Sequence, residues 1–169
     1  MRILFVGDMV GKGSRKAANR LIPMLRREHA IDFVIANGEN MAGGGGLTQK
    51  CLRHLEPAGI DVYTSGDHVW DQRVFEQELP QVSNVLRPAN VSPEQPGRGY
   101  DVFTSPGGVP VAVVSLLGRT FMNAGADCPF RAASLIVQQV RPKARVIVVD
   151  FHAEATSEKC ALGRFLDGQ

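Results

Sequence analysis

Cysteine is scarce in this chain: three residues, Cys51, Cys128 and Cys160, an odd number without paired spacing. That argues against a disulfide framework and for a reducing compartment. Long apolar runs are absent as well. The first one, Ile3 to Val6, ends at Gly7 and Asp8, too early for a signal peptide or a membrane span. An excess of one charge is also missing. Nineteen Lys and Arg against 17 Asp and Glu leave a net charge of +2, which by itself gives no electrostatic footprint for nucleic acid. A cytoplasmic protein without membrane attachment is the expectation.

What the chain does have is globular. Of its 169 residues, 44% are hydrophobic and 21% charged, so disorder, collagen and coiled coil are poor fits. This length suits a single domain, residues 1–169, able to bury roughly 70% of its unfolded surface. Eighteen glycines and ten prolines indicate many tight turns between short elements.

Ile3 to Val6 reads as a strand buried on both faces. Ser14 is placed to cap a helix running to about His29, with Ala18, Leu21, Ile22 and Leu25 inward and Pro23 inside it. Ile31 to Ala36 is a second strand, Thr48 opens a helix that stops near Pro57, and Val62 to Ser65 is a third strand. This alternation predicts a parallel α/β sheet. Farther on, Val85 to Leu86, Tyr100 to Thr104 and Val109 to Leu117 read as strands, with Gly107-Gly108 as a hairpin turn. A helix over 131–140, a buried strand over 146–149 and a helix over 153–166 complete the chain.

The informative pattern is where polar residues fall. Asp8 follows the first strand, Glu39 and Asn40 the second, Asp67 and His68 the third, and Asp150 and His152 the last. In open α/β sheets, ligands bind at the carboxyl ends of strands. Each residue alone has a plain structural explanation: Asp8 as a turn or cap, Asn40 as a turn residue, His68 as a hydrogen-bonder, His152 as a helix cap. Coincidence at four strand ends favours a site. Carboxylates crowded on one edge repel unless a cation sits among them, and oxygen donors with imidazole suit Mn, Fe or Zn.

Other features are weaker. Gly7 to Ser14 approaches a P-loop, but three residues separate Gly7 from Gly11 and Gly13 follows Lys12 where that motif needs four residues and Ser or Thr. Gly43 to Gly46 reads as a flexible loop beside the site, Cys128 as a buried or loop thiol, and His29 and His54 as solvent-facing. Trp70 is equally suited to core packing and to a substrate wall.

Taken together, several segments carry a resemblance: Gly-Asp-Met-Val-Gly-Lys at 7–12, Ala-Asn-Gly-Glu-Asn at 36–40 and Gly-Asp-His-Val-Trp-Asp at 66–71. So do Leu-Arg-Pro-Ala-Asn at 86–90, Pro-Gly-Arg-Gly-Tyr at 96–100, Asp-Cys-Pro-Phe-Arg at 127–131 and Asp-Phe-His-Ala-Glu-Ala-Thr-Ser-Glu-Lys at 150–159. In this order and over the whole chain the sequence resembles the YmdB-type branch of the calcineurin-like metallophosphoesterases. The resemblance implies an α/β sandwich of two sheets flanked by helices. It implies hydrolysis of phosphodiesters such as 2′,3′-cyclic nucleotides, RNA-derived substrates included, with two divalent metals, Fe or Mn or else Zn. Carried over by position, Asp8 is a ligand of one metal and Glu39 the bridging carboxylate. Asn40, Asp67 and His152 are ligands of the second metal, and His68 is the proton donor to the departing oxygen.

Two departures accompany it. The family has Asn where this chain has Asp67, and the added charge is expected to tighten metal binding and weaken Lewis acidity. Family members also continue to a Gly-x-His-x-His-type motif, which does not occur before Gln169. The expectation is a domain incomplete at its C-terminus, with the first metal held by Asp8 and Glu39 alone. An open sheet edge would then favour a homo-oligomer. The alternative to an active enzyme is a catalytically impaired remnant that binds a metal, a nucleotide or a protein.

Overall fold

Strand β1 (Ile3–Val6) pairs in parallel with β2 (Phe33–Asn37), which pairs in parallel with β3 (Val62–Thr64). Helices α1 (Gly11–Glu28) and α2 (Gln49–Leu55) make the crossovers, as the alternating apolar pattern requires. The second sheet has the order β4 (Tyr100–Thr104), β5 (Pro110–Leu117), β6 (Val146–His152). Its first pair is an antiparallel hairpin and its second is parallel, across α4 (Pro129–Val140). A short α3 (Arg73–Glu78) and a final α5 (Thr156–Phe165) complete the element list. This computed structural model describes residues 1–122 and 125–169.

The strand period of two sorts side chains into layers. Phe33 and Ile35 of β2 meet Val111 and Val113 of β5 in a layer between the sheets, joined by Val62 and Leu86. The alternate residues Val34 and Ala36 turn to the opposite face, against Ala18 and Ile22 of α1 and Cys51 and Leu55 of α2. On the far side, Ala112, Val114 and Leu116 pack on Ala133, Ile136 and Val140 of α4 and Leu162 of α5. The result is the expected sandwich of two sheets flanked by helices.

Differences from the sequence expectations have local causes. Helix α1 starts at Gly11, so Ser14 lies in its first turn and donates to the Gly11 carbonyl at 3.0 Å instead of capping. Leu21 is exposed while Ala18 and Ile22 are buried, and Pro23 lies inside the helix without ending it. Strand β2 begins at Phe33, not Ile31, because its register partner Ile3 is where β1 begins. Val85 and Leu86 make isolated bridges to Tyr63 and Arg98 instead of a strand. The hairpin turn is as expected, with Gly108 at a φ of +78°.

Two strands expected to be fully buried are not. Phe5 of β1 is 41% exposed, and β6 is half-buried throughout. Each borders a single strand among the described residues. Beside β1, Leu4, Val6, Leu21 and Leu25 line an apolar groove. No described helix is long and apolar enough to cross a membrane.

Candidate metal centre

The two sheets are tied together behind the carboxyl ends of their strands. Asp150 of β6 accepts from Asn37 Nδ2 at 2.9 Å and from Thr64 Oγ1 at 2.5 Å, linking β6 to β2 and β3. Ser115 Oγ of β5 donates to the Ser65 carbonyl at 3.0 Å. Asp150 is thus a cross-sheet link, and it sets His152, two residues along the same strand, over the ends of β2 and β3.

His152 Nε2 lies 3.3 Å from Glu39 Oε1 and 3.3 Å from Asp67 Oδ1. Ligating atoms of these three residues fall within 4.8 Å of one another, spacing suited to one small cation. Asn40 Nδ2 donates to Glu39 Oε1 at 3.0 Å and to Asp8 Oδ2 at 2.8 Å. Asp8 therefore joins the group through Asn40. Its neighbourhood uses up backbone donors: Met9 N–H bonds the Asn37 carbonyl and Gly11 N–H the Asn40 carbonyl, both at 3.0 Å. Those two amides are therefore not free to cradle a phosphate.

Glu39 carries the electrostatic tension. It is 1% exposed, and its Oε2 is buried without a hydrogen-bond partner. Burial first, then the charges of Asp67 and Asp8, push its carboxyl up to about 7, opposed by His68 and the Asn40 hydrogen bond. Gly66 makes room for it: a Cβ there would lie 1.6 Å from Glu39 Oε2 and 2.7 Å from His152 Cδ2. A buried, unpaired carboxylate oxygen amid oxygen and imidazole donors fits a divalent cation.

His68 stands beside this cluster on the 3-10 turn Asp67–Trp70. Its Nδ1 is 2.7 Å from Asp71 Oδ2, and that hydrogen bond is the main cause holding the imidazole above its usual range, against a smaller lowering by burial. The Gly43–Gly46 run backs this pair. Gln72 Nε2 donates to the Gly45 carbonyl at 2.9 Å, and a Cβ on Gly45 would lie 2.9 Å from Asp71 Oδ2. The run expected as a flexible loop is a turn with Gly43, Gly44 and Gly46 at positive φ.

A family model described as YmdB-like protein matches residues 4–169. The chain belongs to the YmdB-like family. Its relatives include a 2′,3′-cyclic-nucleotide 2′-phosphodiesterase of Bacillus subtilis (strain 168), 41% identical over 169 residues, which cover 100% of this chain and 63% of that protein. A crystal structure of a hypothetical protein from Thermus thermophilus aligns with a TM-score of 0.91 at 40% identity, over 100% of this chain and 64% of that one. A second, titled a novel phosphatase and from Mycoplasma pneumoniae, aligns with a TM-score of 0.88 at 29% identity, over 98% and 60%. This YmdB-like chain spans less than two thirds of the length of these relatives.

The structure brings together Glu39, Asn40, Asp67 and His152, with His68 adjacent and Asp8 connected through Asn40. His29 and His54 are exposed, away from that group, as expected. Sequence reasoning missed Asp71 as the partner of His68 and Asn37 as the partner of Asp150. Asp71 closes the quoted Gly-Asp-His-Val-Trp-Asp segment, three residues after His68, which is the signal that pointed to it.

Proposed function

We propose that this YmdB-like chain carries the metal-binding and proton-donating half of a phosphodiesterase acting on small phosphodiesters such as 2′,3′-cyclic nucleotides. The observation that supports it best is the convergence of Glu39, Asp67 and His152, with the other Glu39 oxygen, Oε2, buried and unpaired and His68 alongside. Glu39, Asp67 and His152 would hold one divalent ion, Mn, Fe or Zn, joined by Asn40 Oδ1 once its side-chain amide turns over from the Nδ2 contacts with Glu39 and Asp8. Asp8 and Glu39 would contribute to a second. Such ions supply Lewis acidity toward a phosphoryl oxygen and lower the pKa of water. Asp71 accepts from His68 Nδ1 and fixes the ring, so His68 holds its transferable proton on Nε2. Hydrolysis adds water at phosphorus, breaks one ester P–O bond, and the departing oxygen takes the proton from His68.

The Asp8 side is poorer in donors than the His152 side: Asn40 is its one polar partner among the described contacts. This favours a second reading, a chain that binds one metal without turnover. In either case the unpaired β1 edge, with Phe5 exposed and the Leu4–Leu21 groove beside it, would pair with a second copy. Metal content and Mn-stimulated hydrolysis of bis-p-nitrophenyl phosphate test the enzyme reading, with His68→Ala as control. Two metals and a His68-dependent rate, falling about 100-fold or more in the variant, support it; one metal and no turnover support the second. Sedimentation at several concentrations tests self-association.

A further inference from the structure

The charge of this chain is unevenly placed. Between Asp8 and Glu28 stand six Lys and Arg and no Asp or Glu, although the whole chain carries only +2. All six belong to α1, whose buried side is Ala18 and Ile22 and whose Lys12, Lys16, Arg20 and Arg27 are exposed. At about 3.6 residues per turn, these four form one row about 22 Å long on the side turned away from the core. Helix α2 lies alongside, held by Asn19 Nδ2 donating to the His54 carbonyl at 2.7 Å, and adds the exposed Lys50 and Arg53. Among the described residues Lys12, Lys16, Arg20, Arg27, Lys50 and Arg53 are in no salt bridge, whereas Arg26 pairs with Asp61. Local physics does not call for this row. Lys12 with Lys16 and Lys16 with Arg20 are like charges four residues apart, which destabilise a helix. The first turn holds Lys12 and no acidic residue, against the helix dipole. Cations gathered where the fold gains nothing from them point to an external anion.

We propose that the outer face of α1 and α2 binds single-stranded nucleic acid through its phosphates, a contact separate from the metal centre and independent of the phosphodiesterase reading. Successive cations from Lys12 to Arg20 are about 6 Å apart along the helix, a step comparable to that between phosphates of an extended strand. A flexible single strand follows a straight row, whereas the backbone of a duplex winds away from it. Neither helix contains Phe, Tyr or Trp, the anchors that hold a membrane surface or a protein partner. The exposed Leu21 and Met24, three residues apart, share the β1 side of α1, where Leu21 lines the groove. A phosphate backbone needs only the cations. With no aromatic platform for stacking, the bases go unread.

The chain is titrated in chelator against short fluorescein-labelled oligouridylate and oligoadenylate, with anisotropy as the readout. The expected result is saturable binding, similar for the two, with a slope of log affinity on log salt of about −3 to −4. Lys16→Gln combined with Arg20→Gln should weaken binding about tenfold and make the slope shallower by about 1.4. Its melting temperature should be unchanged or higher, because two like-charge contacts are gone. Arg141→Gln combined with Lys143→Gln removes the same charge from the exposed turn after α4 and should leave binding as it was. No saturable binding, a slope shallower than about −1, or equal loss in the two double variants overturns the proposal. Phosphatidylserine vesicles and polyglutamate serve as competitors. Displacement of the oligonucleotide by either at matched charge concentration gives this face to a membrane or to an acidic protein, and overturns it too. Because the titration needs no turnover, it is independent of the hydrolysis assay. Hydrolysis without strand binding removes the α1 and α2 assignment alone, whereas strand binding without hydrolysis removes the enzyme reading alone.

Discussion

Asp71 Oδ2 lies 2.7 Å from His68 Nδ1, and this pairing fixes which imidazole nitrogen faces ligand. The two residues are three apart across a 3-10 turn, so the contact is set locally and backed by the glycine turn. Replacing Asp71 by Asn keeps the shape and removes the charge. The His68 pKa should fall toward its ordinary value, read as the midpoint of its ring-proton NMR titration. Turnover, where present, should drop about tenfold, with the alkaline limb of the pH profile moving down by the same amount as the NMR midpoint. An unchanged midpoint would remove Asp71 from this role.

Gly66 should be irreplaceable and Gly13 replaceable. A Cβ at Gly66 would overlap Glu39 Oε2 at 1.6 Å, whereas one at Gly13 in α1 meets nothing within 4 Å. Gly66→Ala is expected to cost about 2–4 kcal/mol and to abolish metal uptake. Gly13→Ala should stabilise by about 0.5–1 kcal/mol. Urea midpoints and metal content by mass spectrometry separate the two outcomes.

The metal-free chain should lose stability as pH rises through the acid range. Glu39 is pushed from 4.5 to about 7 in the folded state, so the folded chain holds this proton more tightly than the unfolded chain does. Its contribution is fully present below about 4.5 and is lost as pH rises to about 7, on the order of 3 kcal/mol in all. Denaturation in chelator at several pH values measures the slope. Glu39→Gln should flatten it, and added Mn²⁺ should oppose it increasingly as the carboxyl ionises. A slope that survives in Glu39→Gln would assign it to another group.

Asn90 should matter more for folding than for chemistry. It is 2% exposed, donates from Nδ2 to the Leu117 and Asp127 carbonyls at 2.8 Å each, and accepts from Leu117 N–H at 2.8 Å. It thereby joins the end of β5 to the start of α4. Asn90→Ala should destabilise by about 3 kcal/mol, because it leaves buried carbonyls and an amide unpaired. Asn90→Asp should fail in the same direction, having lost the donor. Thermal melts check both, and a change under about 1 kcal/mol in either would contradict the assignment.

The sequence alone determined the things that depend on local period and local turn chemistry. Alternating strand and helix patterns located β1, β2 and β3, Thr48 was legible as a cap because its hydroxyl needs only the amide of Cys51 three residues on, and Gly107-Gly108 marked its hairpin. Polar residues at strand ends located Glu39, Asn40, Asp67, His68 and His152, since a parallel sheet brings its carboxyl ends to one edge. Only the tertiary structure decided what depends on partners distant in the chain. Ser14 looked like a cap, but the backbone of 9–11 was already committed to Asn37 and Asn40. Apolar β1 and β6 looked buried, yet burial needs a neighbour on both sides, and each has one among the described strands. Asp150 looked like a site residue, and its contacts with Asn37 and Thr64 make it the link between sheets. The need for glycine at 66 exists because the carboxylate of Glu39, 27 residues earlier in the numbering, occupies the space its Cβ would take.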